Sequence, residues 1–326
     1  MQKIKNNTGK LDIPPMILFL IITFFLIILT ALAAPAIFPV DLGATDLTLR
    51  LENPSFLDQS SPYLMGTDNL GRDVAIRLLY AIRSTVLISF TGMVIATALG
   101  TALGIISGLA GGTVDMIISF LTDVRLSVPT TFIGIILACI LGARPATTIL
   151  VITITGWSSF CRLVRSQIIQ LKKAAFIEAS RSMGAGNIRI IFEHILINIA
   201  SPLIVQSTME LSGFILLEST LSFLGLGIEP PGTSLGVMVS NGRDYMLTHW
   251  WLAMIPSIVI VVLILQISLI GDWLRDKLDP KLKIFLKKEK THEEKNLLFP
   301  SRIQFHCPGK YASGLWRGSS SRCRRN

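Results

Sequence analysis

Six long apolar segments, separated by polar stretches, limit what this chain can fold into. A helix needs about 20 mostly apolar residues to cross the hydrocarbon core of a bilayer. Because lipid offers no hydrogen-bond partners to an exposed backbone, such segments are expected to be helical. The sequence therefore predicts an all-α membrane protein with six transmembrane helices. The candidate spans are 16–34, a part of 84–112, 126–143, 145–161 (the shortest), 195–217 and 250–271.

Composition supports a location in the lipid bilayer. Hydrophobic residues make up 51% of the 326 residues and charged residues 16%, whereas soluble domains carry about 25% charged residues. Most of the net charge of +9 falls in residues 284–326, so we predict a disordered basic tail and no nucleic-acid partner. Cys139, Cys161, Cys307 and Cys323 have no paired spacing, which argues against a disulfide framework or a zinc site.

The distribution of Lys and Arg predicts the orientation of the spans, because cytoplasmic loops carry an excess of these residues. With the N-terminus inside, most basic residues before position 284 are cytoplasmic, including the six between Cys161 and Ile195. We therefore predict an N-in/C-in arrangement. Its parts are a cytoplasmic N-terminus 1–12, a transmembrane domain 13–283 with an external loop 35–83 and a cytoplasmic loop 162–194, and the tail 284–326.

Small residues recur every four positions in the second span, at Ala96, Gly100, Gly104 and Gly108. Such a face lets two helix backbones approach closely in lipid. It predicts either a subunit interface or translocation-path lining, or else packing inside one bundle.

Two acidic residues, Glu210 and Glu218, lie in or at the end of the fifth span. Ionisable groups inside a membrane are costly and point to function. We predict that both line the translocation path. For Glu210 the alternative is a neutral carboxyl group, hydrogen-bonded within the bundle.

The polar segment 172–198 begins with a predicted short helix that ends in a tight turn. Phe176, Ser180 and Met183 are expected to share one face of this helix, because residues three and four apart are neighbours. Gly184 stands where the helix should end, since glycine takes the left-handed conformation without a steric penalty.

A second helix is predicted after this turn, with an apolar face made of Ile188, Ile191, Phe192 and Ile195. Arg189 and Glu193, four residues apart, are expected to form an ion pair on its other side. The tip between the helices is small enough to enter a groove on a partner. The alternative is an interfacial helix that lies passively on lipid.

This segment resembles the "EAA" loop of binding-protein-dependent ABC import permeases. The residues that fit are Glu178-Ala179-Ser180, Gly184 and His194-Ile195-Leu196. Two positions depart from the pattern: Ser180 replaces a second alanine, and Ile197 stands where the family usually has proline. The resemblance implies that an ATPase contacts this loop through Phe176, Glu178, Ala179, Ser180, Met183, Gly184, Ala185 and Gly186.

Further motifs, in the right order, resemble the dipeptide, oligopeptide and nickel permease group. They are 64–73, 222–227 with Pro230-Pro231, and 271–280, and the similarity runs from about residue 13 to 283. The resemblance implies a type I ABC importer permease fold in a bacterial-type inner membrane. It also implies three kinds of partner: a second permease subunit in a heterodimer, two ATPase subunits that hold ATP and Mg, and an extracytoplasmic substrate-binding protein.

The external motif before the second span carries a predicted docking site for the binding protein, made of Asp68, Arg72 and Asp73. Read as local structure, Asp68 is expected to cap an amphipathic helix. That helix should turn Val74, Leu78 and Ile82 toward the membrane and Arg72, Arg77 and Arg83 toward water. Gly66 and Gly71 are expected to supply turns.

No catalytic set is visible in the sequence, and we predict that the chain is not an enzyme. It contains no phosphate loop of the form Gly-x-x-x-x-Gly-Lys-Ser/Thr, and its four histidines lack metal-ligand spacing. Peptides are the expected substrate, with nickel or a metal chelate as the alternative. A secondary transporter driven by an ion gradient is the competing class of protein, and it predicts inverted repeats and midplane charges.

Residues 284–326 are predicted to be dispensable. A stop codon after Lys283 leaves all six spans and the loop complete, so the truncated chain should insert and support substrate uptake like the full chain. Uptake at matched membrane levels tests this, and a large loss would show that the tail holds a partner subunit.

Overall fold

The computed structural model describes residues 14–59 and 61–278, so the predicted N-terminal segment and basic tail lie outside the described residues. Helices dominate the described part, with one turn of 3₁₀ helix at Leu47–Leu49 and a π-helical turn at Ile191–Ile195. The α-helices are α1 (Pro15–Ile37), α2 (Val74–Ala110), α3 (Gly112–Ser127), α4 (Thr130–Leu141), α5 (Pro145–Leu171), α6 (Ala175–Ser182), α7 (Asn187–Ile190), α8 (Leu196–Phe223), α9 (Leu235–Arg243) and α10 (Trp251–Leu278).

Five helices are long and apolar enough to cross a membrane, namely α1, α2, α5, α8 with its preceding π turn, and α10. The predicted third span, 126–143, has a wrong starting residue and is divided into two helices. It begins earlier, at Gly112, and it bends by 89° between α3 and α4. Pro129 causes the break, because proline forces the preceding residue out of the helical region and Val128 is accordingly extended. If the bent pair α3 and α4 is counted as one span, the described residues contain up to six spans.

Three other boundaries differ from the sequence prediction. The predicted external helix and second span form the single helix α2, so the segment between α1 and α2 covers only 38–73. Helix α5 continues to Leu171, ten residues beyond the predicted end at Cys161, because the residues that follow Cys161 are mostly good helix formers. Helical structure continues without a gap from α7 through the π turn into α8, consistent with isoleucine rather than proline at position 197.

Helices α2 and α5 touch backbone to backbone. A Cβ atom added at Gly100 would lie 2.4 Å from the carbonyl oxygen of Trp157, and one at Gly104 would lie 2.9 Å from that of Cys161. One at Gly108 would meet the Ile168 side chain at 2.8 Å. The small-residue face of the second span therefore packs inside this chain.

The remaining helices enclose this pair. Helix α1 packs on α2 and α10, and Gln266 of α10 donates a 3.0 Å hydrogen bond to Thr23. Val74, Leu78 and Ile82 of α2 are buried against α9 and α10. The prediction that they face the membrane is therefore wrong, because side chains of these two helices cover them. Helix α9, absent from the sequence prediction, begins at Ser234, whose side chain accepts a hydrogen bond from the Val237 amide.

Replacing Gly100 by valine should destabilise the bundle by about 1–3 kcal/mol or more, because the new side chain overpacks a backbone contact. Thermal unfolding of the purified chain in detergent, followed by tryptophan fluorescence, measures the effect. Gly213→Val is the matched control, since a Cβ at Gly213 meets nothing within 4 Å. Equal melting temperatures for the two variants would contradict the packing argument.

Candidate functional site

The segment after α5 forms a helix–turn–helix whose turn depends on Gly184. Helix α6 ends at Ser182, and Gly184 follows with φ +85°, the left-handed conformation that the sequence predicted. The amide of Gly184 donates to the Arg181 carbonyl at 2.9 Å, and that of Ala185 donates to the Ser180 carbonyl at 3.0 Å. These bonds satisfy the last carbonyls of α6 in the manner of a glycine C-cap.

Of the predicted common face of Phe176, Ser180 and Met183, the first two residues both contact His194, whereas Met183 projects away from it. Ile177 and Ser180 are buried, whereas Met183 is 80% exposed and Phe176 is also exposed. Ile177 enters a core with side chains of α5 and of the segment after the turn. Its burial fixes the rotation of α6, so Phe176 and Met183 are left at the surface.

His194 joins the two arms of the segment, a role that sequence reasoning missed. Its Nε2 lies 3.0 Å from the Ser180 hydroxyl, and its ring meets that of Phe176 edge-on, with centroids 5.9 Å apart. The partners are 14 and 18 positions away in sequence, beyond the reach of a helical-periodicity argument.

A π-helical turn changes which residues of the second arm face inward. Ile190, Ile195 and Ile199 are fully buried, whereas the predicted face contained Phe192, which is 65% exposed. The π turn contains one extra residue, so the row of residues that face inward is shifted by one position. The side chain of Ile188 lies outside the described residues, and of the other three predicted residues only Ile195 is fully buried.

Arg189 and Glu193 form the predicted ion pair, with Arg189 Nε 2.9 Å from both carboxylate oxygens. Both side chains are largely exposed, so this pair adds little to stability.

Two polar contacts anchor the segment to the bundle. Lys172, just after α5, donates to the carbonyls of Gly108 and Leu109 at 2.9 Å each. These carbonyls are at the end of α2, where a cation is favourable. On α5, Arg165 pairs with Asp115 of α3, with Nη2 2.7 Å from Oδ2.

The helix–turn–helix segment is thus anchored to α2 and α5 on one side and exposes apolar residues on the other. Met183, Phe192 and Ile197 are exposed, as are the small residues Ala179, Gly184 and Gly186. Glu178 is exposed as well, while Ala185 is half-buried. Exposed apolar side chains grouped on a polar segment mark an interaction surface, which we call the coupling surface (residues 176–197).

The external motif has a different geometry from the one predicted. The helix cap is Asp73, whose Oδ1 accepts from the amides of Ala75 and Ile76 at 2.7 and 3.3 Å. Asp68 is not the cap. It is buried, pairs with Arg72 at 2.8 Å, and also accepts a hydrogen bond from Arg77.

Arg77 does not face water, as the prediction had it, because this ion pair and packing against α9 bury it. The predicted turns at Gly66 and Gly71 are confirmed, since both residues have positive φ.

Several contacts keep Asp68 ionised. Burial opposes the charged form, but the amides of Arg72 and Leu70 and the guanidinium groups of Arg77 and Arg72 hold its pKa below the ordinary value. Since the folded-state pKa is lowered, this stabilisation is complete above the ordinary aspartate pKa. It is lost as the pH falls through the folded-state value.

The structure places Glu210 and Glu218 in different surroundings. Glu218 is fully buried, with Oε1 accepting from Ser222 at 2.7 Å. Glu210 lines an open cleft and accepts from Gln206 at 2.9 Å.

Comparisons with known proteins agree with this architecture. The family model described as "Binding-protein-dependent transport system inner membrane component" matches residues 100–284. The dipeptide transport system permease protein DppC of Haemophilus influenzae is 40% identical over 81% of this chain and 90% of its own length. The oligopeptide transport system permease protein OppC of Bacillus subtilis is 35% identical over 81% and 85%.

A solved structure of the MetNI methionine ABC transporter, in an inward-facing conformation, aligns with a TM-score of 0.52 and 17% identity. The alignment covers 62% of this chain and 96% of the other. At this identity the likeness shows a shared fold.

Replacing Asp68 by asparagine should loosen the external motif, because Arg77 would then be buried without a counter-charge, which costs about 3–5 kcal/mol. Hydrogen exchange of the amides in 66–74 should become much faster. Asp41→Asn is the control, since the exposed Asp41 side chain accepts a local hydrogen bond from the Gly43 amide and forms no ion pair with a described residue. Unchanged exchange in Asp68→Asn would refute the structural role given to the pair.

Proposed function

Since this chain belongs to the family of binding-protein-dependent transport system inner membrane components, we propose that it forms, with a second permease, the path for short peptides delivered by an extracytoplasmic binding protein. The chain is a permease subunit of an ATP-driven importer and resides in the bacterial inner membrane. ATPase and substrate-binding partners follow from the family.

Peptides are the substrate class that the relatives favour. Proteins matching about four fifths of this chain at 35–40% identity are named for dipeptide or oligopeptide transport. Nickel is therefore not favoured.

The coupling surface is the proposed contact with the ATPase. Its tip combines a capped glycine turn with exposed Phe176 and Met183, while Ile177, Ser180 and Lys172 fix its base. These contacts connect the tip to α5 and to the end of α2. The remaining predicted contacts, Glu178, Ala179, Ala185 and Gly186, surround the same turn.

The orientation follows from this role. If the coupling surface meets an ATPase, it lies in the cytoplasm, and the arrangement is N-in/C-in as the basic residues predict. ATP and Mg would then be bound by the partner ATPase subunits, since this sequence has no phosphate loop.

A groove between α2 and α8 supports pairing with a second permease. It measures about 520 Å³ and is walled by Met93, Ile105 and Leu203. Thr97 and Thr101 also line it, with their hydroxyl oxygens buried within the chain. A helix of the second permease would pack against the apolar walls of this groove.

The external loop remains the proposed docking face for the binding protein. Asp68, Arg72 and Asp73 would serve it by shaping the loop, because their side chains are engaged within this chain.

Replacing Met183 by glutamate should abolish ATPase retention and peptide uptake while leaving membrane insertion intact. The new charge falls on the exposed apolar tip, and α6 keeps its buried side. Co-purification of the ATPase with the tagged permease, and uptake of a labelled dipeptide in cells, are the two measurements.

Met246→Glu is the matched control, since Met246 is an exposed methionine in the segment between α9 and α10. Normal ATPase yield and normal uptake with Met183→Glu would refute the assignment of the coupling surface.

A further inference from the structure

A cleft of about 400 Å³ opens where α3 bends into α4, opposite the middle of α8. Its volume falls within the range of about 300–1,000 Å³ that is usual for small-molecule sites. The wall combines two charged side chains, several hydroxyl groups and apolar surface. Representative lining residues are Arg125, Thr130, Thr155, Ser159, Glu210 and Phe214.

Arg125 and Glu210 share this cleft but do not bind each other. Among the described residues, neither side chain takes part in an ion pair within 4.0 Å. Arg125 Nη2 makes one long contact of 3.3 Å to Thr130, and its buried Nε has no hydrogen-bond partner. Glu210 Oε1 accepts a hydrogen bond from Gln206.

Unpaired opposite charges beside a membrane core are costly. A ligand that brings the complementary pair of charges would satisfy both ends at once. Arginine favours carboxylates, to which it can donate two parallel hydrogen bonds, and a carboxylate favours an ammonium group.

We infer that the cleft binds a short peptide in transit as a zwitterion, with its terminal carboxylate at Arg125 and its terminal ammonium group at Glu210. This inference rests on the proposed function, because it takes peptides as the cargo. Recognition of the termini leaves the side chains of the peptide to the apolar wall, where Phe214 and Leu217 lie. Side chains of different size could therefore pass through one site.

The competing role is a contact within the chain, in which Arg125 and Glu210 close on each other in another state and touch no ligand. Protection of an engineered thiol separates the two roles. Gly213 lines the cleft and has free space around it, so Gly213→Cys places a thiol there. The four native cysteines are first replaced by alanine, in a chain whose dipeptide uptake is unchanged.

In the assembled, nucleotide-free transporter, labelling of Gly213→Cys by N-ethylmaleimide is measured against rising dipeptide concentration. The probes are one dipeptide with free termini, its N-acetylated form and its C-amidated form. Ile258→Cys, exposed on α10, is the control and should show no protection. If Gly213→Cys prevents assembly, Thr131→Cys in the same lining replaces it.

The free dipeptide should protect, and either modification should raise the half-protecting concentration roughly tenfold or more, as loss of a charged hydrogen bond predicts. Arg125→Gln should remove the effect of amidation and keep that of acetylation, and Glu210→Gln should do the reverse. The exposed pair Arg243→Gln and Asp244→Asn serves as control and should alter neither effect.

Equal protection of the thiol by all three dipeptide probes would overturn the inference, and so would no protection by any of them. The same holds if each variant weakens protection by all three probes to the same extent. Each of these results can occur in a transporter that still takes up dipeptide, so the inference can fail alone. Absence of dipeptide uptake by the native assembly would instead overturn the proposed function.

Discussion

The close approach of α2 and α5 determines how the rest of the molecule is arranged. Gly100 and Gly104 bring the α2 backbone against backbone oxygens of α5, and Gly92 and Gly108 admit the side chains of Ile152 and Ile168. Dispersion contacts rather than water drive such packing in lipid. One end of the pair follows the motif that contains Asp68, and the other end leads into the coupling surface, so the same two helices connect both regions.

Buried polar contacts hold the attachments to this pair. The Asp68–Arg77 pair fixes the entry to α2, and Lys172 ties the start of the coupling segment to the end of α2. Breaking such contacts is costly because a charge would remain without a partner. The Arg125–Glu210 cleft is different, since among the described residues neither side chain has an ion-pair partner within 4.0 Å. The inferred role of this pair in binding a peptide rests on that contrast.

Sequence patterns predicted the features that depend on local physics. Apolar length indicated the spans, glycine chemistry indicated the turn at Gly184, and four-residue spacing indicated the Arg189–Glu193 pair. Features that depend on tertiary contacts were missed. The contact between His194 and Ser180 joins residues on opposite sides of a turn. The buried face of the second arm is shifted by a π-helical turn, whereas the sequence prediction used regular α-helical periodicity. Asp68 and Asp73 both precede α2, so the local pattern alone does not identify the cap. In the structure Asp73 accepts from the amides of Ala75 and Ile76, whereas Asp68 accepts from the side chains of Arg72 and Arg77.

The proposed function requires that ATP hydrolysis on partner subunits drives peptides through this chain. The direct measurement is accumulation of labelled dipeptide by proteoliposomes that contain this permease, the second permease and the ATPases, with the binding protein on the opposite side. Accumulation should require ATP on the side of the coupling surface and should persist when proton and sodium gradients are collapsed. Accumulation driven by such a gradient without ATP would contradict the account and would place the chain among secondary transporters.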